Sequence, residues 1–191
     1  MIIGITGGTG CGKTTLLDLI RQQGGLVLDC DAIYHQLLKT DKAMLQAISD
    51  RFPGTVTDGA LDRKKLGTIV FSDAGALQDL NRITHSAVKQ EVLRQLKTAP
   101  ALAAIDAIGL FEGGLAEICH VTVAVTAPVE DRVKRLMARD GISEEYARSR
   151  IAAQHNDQWF RDRCGYVLEN SGNLQSYTIQ CLDFLRNLTI M

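Results

Sequence analysis

The sequence predicts an α/β domain built on a parallel sheet. Short apolar, β-favouring runs alternate with helical stretches, and a glycine-rich loop directly follows the first of these runs. Such alternation is typical of parallel strands joined by crossover helices. The expected strands are Ile2–Thr6, Leu26–Cys30, Ala101–Asp106, Val121–Thr126 and Tyr166–Leu168. We therefore expect one domain over residues 1–191, with a five-stranded parallel sheet flanked by helices.

Composition and charge argue against several other classes of protein. At 191 residues, 46% apolar and 23% charged, the chain resembles one globular domain with an insertion. The 21 basic and 22 acidic residues nearly cancel, so no long-range field favours nucleic acid or membrane. The cysteines form no C-x-x-C pair, and neither a signal peptide nor an apolar run of roughly 18 residues occurs. We expect a cytoplasmic protein without nucleic-acid or membrane partners, and its oligomeric state stays open.

The segment after the first strand has the pattern of a phosphate-binding loop. Gly7, Gly12, Lys13 and Thr14 match G-x-x-x-x-G-K-[ST], and the stretch Lys13–Gln22 that follows has a helical pattern. The glycines allow consecutive amides to face phosphate oxygens, and the helix adds its positive N-terminal end. The loop therefore predicts nucleotide binding and a P-loop NTPase fold, without naming a reaction.

The loop also assigns expected roles to its residues. Lys13 is expected to reach the β- and γ-phosphates, the Thr14 hydroxyl to hold Mg²⁺, and Thr15 to contact the α-phosphate side. The nucleotide-contacting residues expected here are Gly8, Gly10, Cys11, Gly12, Lys13, Thr14 and Thr15. The sequence has no Asn-Lys-x-Asp motif that would read guanine, which disfavours a GTPase.

Three carboxylates follow predicted strands near this loop. Asp29 and Asp31 lie at the carboxyl end of the second strand, where ligands bind in open α/β sheets. A carboxylate there can accept the proton of an attacking hydroxyl; the alternative is a helix cap, for which Asp31 is well placed. Asp106 ends the third strand and is either a magnesium-supporting carboxylate or a cap or surface residue. Both choices stay open at this point.

About 70 residues separate the second and third strands, far more than one crossover needs. The pattern predicts an all-helical insertion over about 32–96, interrupted by a loop at Pro53–Gly59. Its expected helices are Ala32–Lys39, Lys42–Arg51, Asp62–Phe71 and Asp73–Leu96. An insertion beside a nucleotide-binding core is a natural place for a second substrate.

The chain closes with a predicted amphipathic helix from Leu174 to Leu188. Its aliphatic residues recur near one face, which we expect to pack on the sheet. These residues are Leu174, Ile179, Leu182, Leu185 and Leu188.

A basic cluster lies between the fourth and fifth strands. It contains Arg132, Lys134, Arg135, Arg139, Arg148 and Arg150. Such a cluster is either a solvated helical face or, because phosphoryl transfer needs cations around the transferred group, a helical lid over about 132–160. Arg139 is the favoured catalytic cation and Arg150 the second candidate. His85, in the insertion, is either a structural or a functional residue.

Together these segments resemble the dephospho-coenzyme A kinase family over nearly the whole chain. The resemblance is carried by Ile3–Thr14, Leu28–Asp31, Asp58–Arg63, Leu80–His85, Leu136–Gly141, Arg150–Gln154 and Asn170–Gly172. The Thr-Gly-Gly that opens the loop and the Asp-x-Asp after the second strand are its more family-specific parts. The chain departs from the family pattern at Ser86, at Ile108-Gly109 and at Cys164-Gly165, which spares the loop, Asp31 and Arg139.

The resemblance implies transfer of the ATP γ-phosphate, with Mg²⁺, to the ribose 3′-hydroxyl of dephospho-coenzyme A. By analogy Asp31 is the catalytic base, Arg139 a lid cation acting with Lys13, and Asn170 to Gly172 part of the adenine pocket. The acceptor-side candidates are Asp31, Arg63, His85 and Arg150, and the metal-side candidates are Thr14 and Asp106. Two alternatives remain: another P-loop kinase, for nucleosides or nucleoside monophosphates, and a nucleotide-dependent switch without a small-molecule acceptor.

Overall fold

A five-stranded parallel sheet forms the centre of the computed structural model, which describes residues 1–189. The strands are β1 (Ile2–Thr6), β2 (Leu26–Asp29), β3 (Val56–Thr57), β4 (Ala60–Leu61), β5 (Ala103–Asp106), β6 (Val121–Thr126) and β7 (Tyr166–Glu169). The central sheet has the order β2-β5-β1-β6-β7, and β3 pairs with β4 in a separate ribbon. All five strands expected from the sequence are confirmed, and so is the P-loop fold.

Helices connect the strands and cover both faces of the sheet. They are α1 (Lys13–Gln22), α2 (Cys30–Thr40), α3 (Lys42–Arg51), α4 (Arg63–Val70), α5 (Ala74–Leu96), α6 (Val129–Asp140), α7 (Glu144–Ala152), α8 (Asp157–Arg161) and α9 (Leu174–Thr189). One apolar layer joins α1 and α9 to the sheet through residues such as Ile5, Leu16 and Cys181. The other joins the insertion helices to it through residues such as Leu28 and Val92.

The register of the sheet brings three chain segments together at one edge. Asp106 at the end of β5 is paired with Ile5 of β1 on one side and with Asp29 of β2 on the other. Because all three strands are parallel, their carboxyl ends open on the same side, and the phosphate loop follows β1 there. This edge therefore collects the residues on which the sequence predictions depend.

The C-terminal helix forms as expected but buries a different face. Leu174 and Ile179 are exposed, whereas Tyr177, Cys181 and Phe184 are buried with Leu185 and Leu188 in the layer on the sheet. The spacing of Tyr177, Cys181 and Phe184 is i, i+4 and i+7, which is the helical stripe that packs. The expected helix is therefore right, and the assignment of Leu174 and Ile179 to the packed face is wrong.

The insertion between β2 and β5 contains the four expected helices, α2 to α5. Each begins at an aspartate whose carboxylate accepts a hydrogen bond from a backbone amide of the first turn, which satisfies donors that a helix leaves unpaired. The capping residues are Asp29, Asp41, Asp62 and Asp73. This repeated cap explains why the helix boundaries follow the sequence so closely.

The insertion is nevertheless not all-helical, because β3 and β4 form a short antiparallel ribbon between α3 and α4. Asp58 and Gly59 make its two-residue turn, with φ values of 52° and 74°. An Asp-Gly pair with positive φ at both positions is a favoured hairpin connection. The predicted loop over Pro53–Gly59 is therefore wrong in part, because the Asp58-Gly59 pair was not interpreted as a hairpin turn.

The segment between β6 and β7 is helical throughout most of its length and is called here the α6–α8 segment, residues 129–161. Helix α6 ends at Gly141, which adopts the left-handed conformation at φ 65° that favours glycine. Helix α7 begins at the expected cap Ser143 and packs on α6 through Val133, Leu136 and Ala147. Among residues 1–189, no helix combines the length and apolar character needed to cross a bilayer.

Candidate functional site

The phosphate loop leads directly from β1 into α1. Gly12 is the residue before α1 and has φ 94°, a left-handed conformation that favours glycine. The Lys13 ammonium folds back and donates to the Gly7 carbonyl oxygen at 2.9 Å, across the loop. The Lys13 side chain therefore lies across the backbone of the loop.

A cavity of about 720 Å³ lies over this loop at the carboxyl edge of the sheet. It brings together most of the residues that the sequence singled out: Gly10, Cys11, Gly12, Lys13, Thr14, Asp29, Asp31, Asp106, Arg139 and Arg150. Thus residues from β1, β2, β5 and the α6–α8 segment meet around one space. We call it the donor cavity.

Asp106 lies inside this cavity under the influence of one cation and two carboxylates. Burial raises the pKa of Asp106 to about 6, and the nearby carboxylates of Asp29 and Asp31 add to that rise. The Lys13 ammonium, 4.0 Å away, opposes it. Asp106 is therefore a partly buried carboxylate whose charged form is costly at this position.

Asp29 and Asp31 have different structural roles. Asp29 is the residue before α2, and its carboxylate accepts from the Ala32 amide at 3.0 Å. Helix α2 begins at Cys30, so Asp31 belongs to its first turn and is exposed. The interpretation of Asp31 as the helix cap is therefore wrong, because Asp29 takes that place.

A second cavity, of about 260 Å³, lies between α2, α5 and the turn after β5. Its walls combine apolar side chains with the polar groups of Tyr34, Asn81, Thr84 and His85. Asp31 lines this space as well as the donor cavity. We call it the acceptor-side cavity, and Asp31 stands at the point where the two spaces meet.

Two of the predicted acceptor-side residues are placed differently. His85 lines the acceptor-side cavity, where its ring lies beside Gly113. Arg63 is outside that lining and contacts the His35 ring nitrogen Nδ1 at 3.3 Å. Burial raises the pKa of Tyr34 and the charge of Arg63 opposes that rise, which shows that Arg63 is near Tyr34.

The two predicted lid arginines share one carboxylate. Asp140 accepts from Arg139 Nε at 2.6 Å and from Arg150 Nη1 at 2.7 Å. Hydrogen bonds from Arg139 and then Arg150 lower the pKa of Asp140 to about 2. Both guanidinium groups are thereby held beside the donor cavity, which they line.

Four other residues predicted to contact the nucleotide do not line the donor cavity. Asn170 is buried, and its amide Nδ2 donates to the Cys11 carbonyl oxygen at 2.9 Å. Gly172 lies in the exposed turn that precedes α9. Gly8 packs against the Arg132 guanidinium, and Thr15 is partly buried in α1. Roles for these residues in nucleotide binding stay predictions.

A polar and aromatic contact joins the α6–α8 segment to the turn after β5. Glu112 Oε1 lies 2.9 Å from His155 Nε2, and the His155 ring stacks on Trp159 at 3.8 Å with an angle of 5°. The Arg163 guanidinium lies 4.1 Å from the Trp159 ring centroid. Since Glu112 follows the turn that lines the acceptor-side cavity, this contact links the two halves of the site.

The comparison with known families agrees with this geometry. Residues 1–176 match the family model described as CoaE, dephospho-CoA kinase. The chain belongs to the dephospho-CoA kinase family. Members of this family are ATP-dependent kinases, and so is this protein.

Curated relatives of the family align with almost the whole chain. A dephospho-CoA kinase of Thermus thermophilus is 39% identical over 190 residues, 99% of this chain and 92% of the relative. That of Latilactobacillus sakei is 34% identical over 191 residues, 97% of this chain and 95% of the relative. The similarity to this family therefore extends over nearly the whole chain and not over the loop alone.

Several solved structures have a similar fold. One from Thermus thermophilus, described as TT1252, has a TM-score of 0.81 at 37% identity, covering 98% of this chain and 97% of that one. The dephospho-CoA kinase of Campylobacter jejuni has a TM-score of 0.67 at 23% identity, covering 98% and 96%. A shikimate kinase of Bacteroides thetaiotaomicron has a TM-score of 0.60 at 13% identity, covering 100% and 99%. The last two likenesses support the fold alone.

Sequence reasoning missed several residues that contact the phosphate loop or line the acceptor-side cavity. Arg132 and Arg135 contact loop carbonyls, although the pattern favoured Arg139 and Arg150 within the same cluster. Tyr34 and Thr84 line the acceptor-side cavity without any motif that marks them. The capping carboxylate Asp29 fixes where α2 starts, and a cap one residue before a helix was the available signal.

Proposed function

We propose that the chain transfers the γ-phosphate of ATP to the ribose 3′-hydroxyl of dephospho-coenzyme A, which completes coenzyme A, and that it does so in the cytoplasm. The observation that carries the proposal is Asp31, because its side chain borders both the donor cavity and the acceptor-side cavity. A hydroxyl that enters from the acceptor side meets this carboxylate before it meets the phosphate loop. That order of contacts is the one a general base requires.

Asp31 is the proposed catalytic base. It accepts the proton of the attacking hydroxyl as the oxygen approaches the γ-phosphorus, as a positioned carboxylate does in other kinases. Two features leave it available for this role: Asp29 performs the capping, and Asp31 is exposed to both cavities. Its position in the first turn of α2 also fixes its backbone in a regular helix.

Cations from two directions stabilise the charge on the transferred group. Lys13 approaches from the loop, and on nucleotide binding its ammonium exchanges the Gly7 carbonyl for phosphate oxygens. Arg139 and Arg150 approach from the α6–α8 segment, where Asp140 keeps them beside the cavity. Positive charge placed around the equatorial oxygens lowers the barrier to phosphoryl transfer.

Thr14 and Asp106 are the proposed magnesium-side residues. Mg²⁺ prefers oxygen ligands, and the donor cavity holds both the Thr14 hydroxyl and the Asp106 carboxylate. The raised pKa of Asp106 fits this role, because a divalent cation would restore the carboxylate form that burial disfavours. Mg²⁺ held by Thr14 and Asp106 would supply positive charge that neutralises the phosphates.

The acceptor side uses residues of the insertion. His85 and Tyr34 bring ring nitrogens and a hydroxyl to the acceptor-side cavity, where they can orient the sugar and base of the acceptor. Arg63 lies near Tyr34, where a cation can attract the diphosphate of dephospho-coenzyme A. The apolar remainder of the wall suits a base plane.

The decisive experiment measures ATP turnover with a panel of acceptors and reads each product by mass. Dephospho-coenzyme A should gain one phosphate, whereas nucleosides, nucleoside monophosphates and a 3′-deoxy analogue of dephospho-coenzyme A should not. Fast turnover confined to a nucleoside or a nucleoside monophosphate would refute the acceptor assignment. Phosphorylation of the 3′-deoxy analogue would refute the choice of hydroxyl.

A further inference from the structure

We propose that Arg132 is a positioning residue that holds the phosphate loop in its nucleotide-binding shape from outside the donor cavity. The proposal rests on ATP as the donor and does not depend on the identity of the acceptor. Arg132 lies on α6 and does not line the donor cavity. It acts through the loop backbone and not by contact with the nucleotide.

Arg132 is among the most buried charged residues that the structure describes, with 2% of its surface exposed. Its Nε donates to the Thr9 carbonyl oxygen at 2.9 Å, and its Nη1 donates to Asp157 at 3.3 Å. A buried guanidinium is costly unless it is paired, and here one side is paired with a carboxylate and the other with the loop. The cation is therefore placed to fix the loop.

The remaining nitrogen, Nη2, is buried and has no hydrogen-bond partner within residues 1–189. It packs against Gly8, where an added Cβ would lie 2.2 Å from Nη2 and 2.8 Å from Cζ. Gly8 does not have a positive φ, so its backbone conformation alone does not require glycine. Glycine at this position is explained by the guanidinium that occupies the space of a side chain.

The carbonyl contacts determine which way the loop amides face. In a trans peptide the C=O of one residue and the N–H of the next point in opposite directions. Arg132 holds the Thr9 carbonyl, while Arg135 and Asn170 hold the Cys11 carbonyl. The Gly10 amide is therefore turned away from Arg132, and Gly10 lines the donor cavity.

Thr9 is held from its amide side as well. Gln154, just beyond α7, accepts from the Thr9 N–H at 2.8 Å through its side-chain oxygen. Arg132 and Gln154 thus bind both backbone polar groups of one loop residue, and both come from the α6–α8 segment. The loop shape depends on this segment and not only on the glycines of its own sequence.

The test measures ATP binding by calorimetry without any acceptor, together with the Michaelis constants for both substrates. Arg132→Met keeps the length of the side chain but removes its charge and its donors. We expect ATP binding to weaken about tenfold or more, the typical effect of losing a charged hydrogen bond, and the acceptor constant to stay within about twofold. Arg132→Lys keeps one donor and should recover part of the loss. Arg186→Met, an exposed change on α9, is the matched control and should bind ATP like the wild type.

Gly8→Ala separates positioning from general structural damage. Alone it should weaken ATP binding, because the added methyl displaces the guanidinium. Combined with Arg132→Met it should cause no further loss, because the group that it displaces is gone. If Arg132→Met lowers the melting temperature yet binds ATP like the wild type, the positioning role is refuted. If Arg132→Met does not fold, Gly8→Ala decides: wild-type ATP binding in that variant would equally refute the proposal.

Discussion

The Lys13 ammonium lies 4.0 Å from the Asp106 carboxylate at the floor of the donor cavity. Lys13 begins α1 after the loop that follows β1, and Asp106 ends the adjacent strand β5, so the sheet and the loop together bring these side chains near each other. The cation offsets only part of the effect of burial, since the pKa of Asp106 is still raised to about 6. Ionisation of Asp106 therefore lowers the free energy of unfolding as the pH rises.

Asp106→Asn should stabilise the free protein at pH 7.5 by about 3 kcal/mol. The folded-state pKa of about 6 exceeds the ordinary 3.8, so between these two pH values the folded protein keeps a proton that the unfolded chain has lost. The wild-type free energy of unfolding therefore falls as pH rises from about 4 to about 6 and stays low above that range. Urea unfolding of both proteins at pH 4 and pH 7.5 measures the difference, which should shrink to about 0.5 kcal/mol at the lower pH. Asp18→Asn, an exposed change, is the control, and an equal gain there would contradict this account.

Asp31→Asn should keep ATP affinity and lose about 10²- to 10⁴-fold in transfer rate, the usual contribution of a general base. The change removes the proton acceptor and little volume. Asp29→Asn is the matched control, since asparagine also caps helices well and should preserve most of the rate. Single-turnover transfer with saturating ATP and acceptor gives both rates. A near wild-type rate for Asp31→Asn would remove it from the chemistry.

Arg139→Lys should lower kcat by about 10²-fold or more, because a lysine cannot reproduce the forked donors of a guanidinium at a transferring phosphoryl group. Arg148→Lys is the matched control in the same segment, since Arg148 pairs with Glu130 and Glu144 and does not line the donor cavity. Steady-state rates at saturating substrates measure both. Equal losses in the two variants would show a general requirement for charge and not a role for Arg139.

The single tryptophan, Trp159, should report on movement of the α6–α8 segment. It stacks on His155, which in turn contacts Glu112 beside the acceptor side. If binding of both substrates repositions the segment, the emission of Trp159 should shift, and Glu112→Gln should reduce that shift and raise the acceptor Michaelis constant. Fluorescence titration with each substrate alone and with both provides the measurement. An unchanged spectrum at saturation would argue against movement at this contact.

The parts of the molecule that sequence reasoning predicts well are governed by local chemistry. Strand positions follow from apolar runs, the insertion helices from aspartate caps, and the loop from its glycine spacing. Helix α2 shows the limit of such reasoning. It begins at Cys30 and not at Ala32, and this shift gives the capping role to Asp29 and not to Asp31.

Long-range contacts escaped the sequence for a different reason. Arg132 touches Thr9 across 123 positions of the chain, and no periodicity connects two such residues. Within the basic cluster, Arg132 and Arg135 contact the loop while other arginines face solvent. The sequence does not distinguish the two groups, because the difference depends on how α6 packs. The Asp58–Gly59 hairpin, by contrast, was readable from the sequence, since the turn chemistry is local.

The strand order has a consequence for how the enzyme is made. Within residues 1–189, β2 forms its sheet hydrogen bonds with β5 alone, so its only neighbour is made after the entire insertion. A nascent chain that ends before Ala103 already carries the phosphate loop, Asp31 and the acceptor-side helices, yet nothing aligns β2 with β1. More than half of the polypeptide must be synthesised before the four residues Ala103–Asp106 can insert between them. Neither cavity can therefore be complete before β5 has been made, because residues from Asp106 onward line the donor cavity and residues from Ala107 onward line the acceptor-side cavity.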